Sequence, residues 1–121
     1  MRDLKRPVYM YRFDLVKLIE NTLSKGLLLE SFIRGNSMEP TAFDGDRILI
    51  RPIDLDKDLK IGNIVAIMSE DKRHFVVHRI RECDFENNKI YEQGDNCDRG
   101  SYIELVNIKG IVCKINETEV G

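Results

Sequence analysis

The sequence lacks several features that mark large functional classes. No apolar run approaches the roughly 18–20 residues that a membrane-spanning helix needs. The N-terminus, MRDLKRPVYMYRF, has a positive cluster without a following apolar stretch, which argues against a secretory signal. The formal net charge is only −2, whereas nucleic-acid binding needs a strongly basic face. We therefore expect a cytoplasmic protein without nucleic-acid partners, and we leave open a peripheral contact between its basic, aromatic N-terminus and a membrane.

Cysteine and histidine are also scarce. The three cysteines, Cys83, Cys97 and Cys113, are odd in number and form no CxxC pair, which argues against a disulfide framework or a zinc ribbon. Reduced thiols in a reducing compartment are the expected state. The two histidines, His74 and His78, would lie about 13 Å apart on a strand, and no HExxH pattern is present. We expect no metal and no other cofactor.

The hydrophobic pattern predicts the fold class. Of the 121 residues, 42% are apolar and 33% are charged, which fits one globular domain. Residues 14–25 have apolar spacings of three and four, which predicts an amphipathic helix that Asp14 caps and Gly26 ends. Short, apolar or β-branched segments predict strands at 27–34, 47–51, 63–69, 74–82, 89–93 and 108–115.

These segments predict a small, mainly β barrel or sandwich with one N-terminal helix. Turn clusters separate the strands, among them Asn87-Asn88, and no repeat or low-complexity linker interrupts the chain. We divide the chain into an N-terminal arm and helix, 1–26, and a β domain, 27–121, that together form one compact unit.

One short stretch, GNSMEPT, has the features of a nucleophile turn. Gly35 lets the backbone bend sharply before Ser37 and leaves room for a substrate carbonyl. Met38 and Pro40 would fix the bend from the other side, and we expect both to contact substrate. A serine on a fixed turn can act as a nucleophile if a base and oxyanion donors are near. It can equally well bond only to its own turn backbone, so the stretch alone leaves both interpretations open.

A base and an acidic partner have candidates elsewhere in the sequence. His78 lies in a strand-like segment, 41 residues after Ser37, and a neutral imidazole is a suitable proton acceptor. Such a base works better with a carboxylate at its second nitrogen. The segment GDNCDR supplies Asp95 and Asp98, although aspartate is also common in turns for backbone reasons.

Three blocks in the order GNSMEPTAFDGDRILI, VVHRI and GDNCDRGSY resemble the signal peptidase (S26) branch of the S24/S26 serine peptidases. GNSMEPTAFDGDRILI resembles the nucleophile box of that family. VVHRI resembles the box with the base, where bacterial-type signal peptidases and LexA-like repressors have lysine and the endoplasmic-reticulum and archaeal type has histidine. GDNCDRGSY resembles the GDN…D segment of that type, and IKGIVCKI resembles the strand that closes the catalytic core. The resemblance covers about residues 27–115.

The resemblance implies a role for each matching residue. Ser37 would be the nucleophile, His78 the general base and Asp98 the acidic partner, with Asp95 as the alternative. The Ser37 backbone N–H would serve the oxyanion hole, and Gly35 stands where some members place a hydroxyl donor. The implied activity is that of a serine endopeptidase that cleaves a leader or signal segment of a peptide or protein.

Two other function classes remain as alternatives. The same fold could be a peptide-docking module in which Ser37 is idle. A repressor-like autoprotease ranks last, because it needs a DNA-binding domain, and only 36 residues with one helix precede Ser37. The sequence leaves the substrate and the oligomeric state open.

Overall fold

The computed structural model describes residues 17–69, 71 and 74–121. In this part of the chain, residues 17–24 form helix α1, and the rest is dominated by antiparallel strands. The mainly β prediction with one N-terminal helix is confirmed, whereas the predicted cap Asp14 lies outside the described residues. The strands are β1 Leu29–Phe32, β2 Arg47–Pro52, β3 Ile64–Met68, β4 Phe75–Asp84, β5 Lys89–Gln93, β6 Ser101–Glu104, β7 Ile108–Ile115 and β8 Thr118–Glu119.

The strands form one sheet in which β7 lies near the centre. The order is β1-β2-β7-β3-β4-β5-β6, with β8 paired to β7, and all neighbouring strands are antiparallel. Strand β7 therefore joins the β1–β2 hairpin to the strands β3, β4 and β5. The β1–β2 connection contains Ser37, and β4 contains His78, so β7 connects the two halves that hold the candidate nucleophile and base.

Strand β3 separates two hydrophobic clusters. All five of its residues are buried. Ile64 and Ala66 belong to one cluster, and the alternating residues Val65 and Ile67 belong to the other. Side chains alternate between the faces of a strand, so a strand with core on both sides must be apolar throughout. The predicted strand at 63–69 is confirmed, with observed bounds Ile64–Met68.

Helix α1 packs on the sheet through a narrower face than its sequence indicates. Leu23 is buried in the first cluster, whereas Leu18 is 60% exposed. The helix ends at Gly26 as predicted, because this residue adopts φ +79° and its N–H donates to the Leu23 carbonyl at 3.0 Å. Gly110 on β7 gives Leu23 room, since a Cβ there would lie 3.3 Å from the leucine Cδ1. The helix therefore packs on the sheet chiefly through Leu23, for which Gly110 leaves room, together with the partly buried Ile19.

Two short strands were not predicted. Strand β6, with the sequence SYIE, has a mostly exposed burial pattern, and both residues of β8 are exposed. Neither presents the alternating apolar residues that mark a strand in a sequence. The turn at Asn87-Asn88 was predicted correctly, and Asn88 adopts a left-handed conformation with φ 54°.

A bidentate ion pair fixes the segment between β2 and β3. Arg51 donates from both terminal nitrogens to Asp58 at 2.8 Å, and the Asp54 N–H donates to the same carboxylate at 2.8 Å. Asp58 is buried, with 6% of its surface exposed. Its pKa is lowered, chiefly by the hydrogen bonds from Arg51, although burial acts in the opposite direction. The native fold therefore favours the ionised carboxylate.

We expect Asp58→Ala to lower the free energy of unfolding by about 2 kcal/mol at neutral pH, because it removes a buried, charge-assisted acceptor. A depressed native pKa adds stability above the unfolded-state pKa, and this stability is lost as the pH falls through the native value. The difference between wild type and variant should therefore shrink at low pH. Urea unfolding at pH 7 and below about pH 3 measures both effects.

The exposed neighbour Asp56 supplies the matched control for this ion pair. Asp56→Ala should change the free energy of unfolding by less than about 0.5 kcal/mol. Equal losses in the two variants would contradict a specific contribution from the Arg51–Asp58 pair.

Candidate active site

The loop between β1 and β2 is a closed turn that holds Ser37 in place. The Ile33 N–H donates to the Asp46 carbonyl at 2.8 Å and so closes the base of the loop. Inside it, the Gly35 N–H donates to Asp44 Oδ1 at 2.8 Å. Gly35 has φ +82°, a conformation that side chains disfavour, so glycine is needed there as the sequence predicted. The bend fixes the backbone two residues before Ser37.

The structure brings Ser37 and His78 into hydrogen-bond distance. His78 lies on β4 opposite Val65 of β3, and its Nε2 is 3.1 Å from Ser37 Oγ. The His78 side chain is mostly buried. The imidazole is therefore held by the sheet and faces the hydroxyl of the turn.

The carboxylate at the other nitrogen of His78 comes from Glu92, which the sequence analysis did not single out. His78 Nδ1 is 2.7 Å from Glu92 Oε1. Glu92 pairs with Ile80, two residues beyond His78, so both side chains lie on the same face of neighbouring strands. Asp98 is exposed in the following bend. The carboxylate that contacts His78 is therefore Glu92, whereas the sequence analysis predicted Asp98 for this position.

Ser101 supports Glu92 from the next strand. These two residues are opposite each other in the β5–β6 pair, and Ser101 Oγ donates to Glu92 Oε2 at 2.9 Å. Burial raises the pKa of Glu92, but the hydrogen bonds from His78 and Ser101 outweigh it, and the pKa is lowered. The carboxylate is thus ionised at neutral pH and accepts a hydrogen from Nδ1. In a neutral imidazole this leaves Nε2 as an acceptor for the Ser37 hydroxyl.

Asp95, the alternative candidate for the acidic partner, has other partners. Arg79 donates to both of its oxygens, at 2.8 Å and 2.7 Å, and Thr41 Oγ1 lies 2.5 Å from Oδ2. The pKa of Asp95 is lowered, first by the hydrogen bonds from Arg79 and further by the one from Thr41. Asp95 therefore bonds to groups around the Ser–His pair and not to His78.

The turn formed by residues 94–97 lies directly against the nucleophile. The Asn96 N–H donates to the Ser37 carbonyl at 2.8 Å, and Asn96 Nδ2 donates to the Asn36 carbonyl at 3.0 Å. At Gly94, a Cβ would lie 2.5 Å from the Ser37 carbonyl oxygen and 3.0 Å from His78 Nε2. Only a residue without a side chain fits at this point.

The comparison with protein families identifies the family of this chain. The Peptidase S24-like family model matches residues 13–111, a range that contains Ser37, His78 and Glu92. The chain belongs to the Peptidase S24-like family. A comparison with curated proteins gave no match. Membership supports the wider S24/S26 resemblance and indicates a peptidase-type function.

In this Peptidase S24-like chain, the two residues predicted to contact substrate have different environments. Met38 is buried, with 1% of its surface exposed, and belongs to the first hydrophobic cluster. Its prediction as a substrate contact is therefore corrected: the side chain packs inward and attaches the turn to the core. Pro40 is exposed and remains available for a substrate contact.

Other sequence-derived expectations concern metals, thiols and membranes. Within residues 17–69, 71 and 74–121, no group of three or more His, Cys, Asp or Glu side chains could hold a metal ion. Cys83, Cys97 and Cys113 are free. The described part of this S24-like chain has no helix long and apolar enough to cross a membrane. The predicted N-terminal arm, 1–13, lies outside the described residues.

Proposed function

We propose that this S24-like chain is a serine endopeptidase in which Ser37 is the nucleophile and His78 the general base. The observation that supports this proposal is the continuous chain of side chains from Glu92 through His78 to Ser37, with contacts of 2.7 Å and 3.1 Å. A buried, ionised carboxylate, an imidazole and a hydroxyl in this order form the arrangement that activates a serine.

The proposed reaction has two stages. In acylation, Ser37 Oγ bonds to the carbonyl carbon of the substrate while its proton moves to His78 Nε2. His78 then gives this proton to the leaving amine as the peptide bond breaks, and an acyl-enzyme remains. In deacylation, a water attacks the ester, its proton moves to Nε2 and then to Ser37 Oγ, and the new carboxyl terminus leaves.

The groups around the Ser37 hydroxyl and His78 have supporting roles in this proposal. Glu92 holds His78 by Nδ1 and stabilises the imidazolium that forms when Nε2 takes the proton. The Ser37 backbone N–H would donate to the oxyanion, and Gly35 offers no side-chain donor there. The Pro40 side chain is exposed beside the turn and would contact the substrate.

We further propose a leader or signal segment of a peptide or protein as the substrate, bound in extended form. Strand β1 lies at one end of the strand order and leads into the Ser37 turn. A substrate strand that pairs with such an edge would gain backbone hydrogen bonds on its way to the nucleophile. The GNSMEPT, HRI and GDNCDRG blocks resemble the signal peptidases that use a histidine base, and this resemblance supports the proposed substrate. The proposed setting is the cytoplasm, with membrane contact limited to the N-terminal arm.

Two readouts test the proposed activity. The protein is incubated with a peptide library derived from a proteome between about pH 5 and pH 9, and the products are read by mass spectrometry. In parallel, it is treated with a fluorophosphonate, which forms a covalent adduct with activated serines. We expect cleavage by the wild type and an adduct on the peptide that contains Ser37.

Ser37→Ala and His78→Ala should abolish cleavage and labelling, whereas Ser24→Ala, at an exposed helix position, should keep both. An inactive and unlabelled wild type would overturn the peptidase proposal in favour of the peptide-docking module with an idle serine.

A further inference from the structure

The Asp95 carboxylate connects three segments around the Ser–His pair. It accepts two hydrogen bonds from Arg79, one from Thr41 and a longer contact of 3.3 Å from Arg81. Its side chain is only 10% exposed. We call Thr41, Arg79, Arg81 and Asp95 the Asp95 network.

Each segment of the Asp95 network is adjacent to a residue of the proposed mechanism. Thr41 belongs to the turn that contains Ser37, and Arg79 directly follows His78 on β4. Asp95 belongs to the 94–97 turn, which binds the Ser37 carbonyl through the Asn96 N–H. The network therefore connects the nucleophile turn to the strand of the base without touching either reacting atom.

Arg79 is fixed at a further point. Its Nη1 donates to the Gly62 carbonyl at 2.6 Å, in the connection before β3. Because successive side chains on a strand point to opposite faces, the Arg79 side chain projects from the face of β4 opposite to that of His78. Any effect of the network on His78 must then pass through the backbone of β4 and the turn.

We propose that Asp95 is a positioning residue, which holds the Ser37 turn against β4 and so keeps Ser37 Oγ within reach of His78 Nε2. This inference rests on the proposed function. The network requires a carboxylate, because the guanidinium of Arg79 donates to both oxygens while Thr41 donates to one of them. An asparagine has the same size but offers only one oxygen acceptor.

The test compares Asp95→Asn with wild type in the full chain, with cleaved peptides from the library as substrates. We expect kcat to fall by about tenfold or more, with KM within about twofold, because a small displacement of the nucleophile affects the reaction more than binding. The pH profile should keep its shape, since the His78–Glu92 contact is unchanged.

Asp58→Asn is the matched control for this test. Asp58 also accepts a bidentate arginine pair and is buried, but Arg51 and Asp58 belong to the β2–β3 region, outside the network. Both variants should lose stability in thermal unfolding, and only Asp95→Asn should lose kcat at a temperature where both are folded. Similar stability losses with wild-type kcat in both would overturn the inference and leave a structural role alone.

Variants of Thr41 test the same inference if Asp95→Asn does not fold. Thr41 is exposed, so its variants should fold. Thr41→Val should lower kcat, and Thr41→Ser, which keeps the hydroxyl, should restore it. Wild-type kcat in Thr41→Val would contradict the inference while leaving the proposed function intact, because wild-type cleavage and Ser37 labelling test that function separately.

Discussion

Replacing Glu92 with glutamine should lower kcat by about 10²- to 10⁴-fold and change KM little. The amide has no charge to stabilise the imidazolium, and its NH₂ group can donate to Nδ1 and so select the wrong tautomer of His78. Ser101 would still bond to the side chain, so the strands should stay paired. Steady-state kinetics on cleaved library peptides, with fluorophosphonate labelling rates for Ser37, measure the effect.

Asp98→Asn is the control that separates the two acidic candidates. Asp98 is exposed in the bend after β5, whereas Glu92 is 9% exposed and contacts His78 at 2.7 Å. We expect Asp98→Asn to keep kcat within about twofold of wild type. A large loss in Asp98→Asn together with normal kinetics in Glu92→Gln would reassign the acidic role to Asp98.

The pH dependence of stability gives a second, independent test of the Glu92 carboxylate. The native pKa of Glu92 is lowered, so its ionised form stabilises the fold above the unfolded-state pKa, which is about 4.3 for glutamate. That contribution is lost as the pH falls through the lower native value. Wild type should thus approach Glu92→Gln in stability at acidic pH, which urea unfolding measures directly.

The sequence predicted six of the eight strands and the Ser–His pair but not the carboxylate, for a physical reason. Strands β2, β3 and β7 are rich in buried apolar residues, and this pattern is local. The choice among Asp95, Asp98 and Glu92 depends on which side chain faces His78 across the sheet, which is a property of strand register. Turn chemistry explains aspartate in GDNCDR without any reference to catalysis.

A signal for Glu92 was present in the predicted strand KIYEQ. Ile90 and Glu92 are two residues apart and therefore point to the same face, and both are buried. A carboxylate at an inward position of a strand is costly to bury unless it has partners. That argument predicts a partner for Glu92, but not its identity. Ser101 could not be recognised at all, because β6 has no apolar alternation and its register with β5 is set by the fold.

Replacing Gly94 with alanine should lower kcat by about 10²-fold or more and the free energy of unfolding by about 1–3 kcal/mol. Its Cβ would lie 2.5 Å from the Ser37 carbonyl oxygen, 2.9 Å from Cys97 Sγ and 3.0 Å from His78 Nε2. The serine carbonyl is backbone, and the Asn96 N–H already holds it at 2.8 Å. Relief of the clash therefore has to separate the 94–97 turn from the nucleophile, which misplaces Ser37 or His78.

Gly110→Ala distinguishes this local effect from a general cost of overpacking. A Cβ at Gly110 would also lie 2.5 Å from its nearest neighbour, but that neighbour is Cγ2 of the Ile50 side chain in the core. Both variants should lower the midpoint of urea unfolding, and only Gly94→Ala should lower kcat and the labelling rate of Ser37 in the folded protein. Wild-type kcat in a destabilised Gly94→Ala would mean that the turn can move without displacing the nucleophile. The distance between Ser37 and His78 would then be set by the β1–β2 loop and β4 alone.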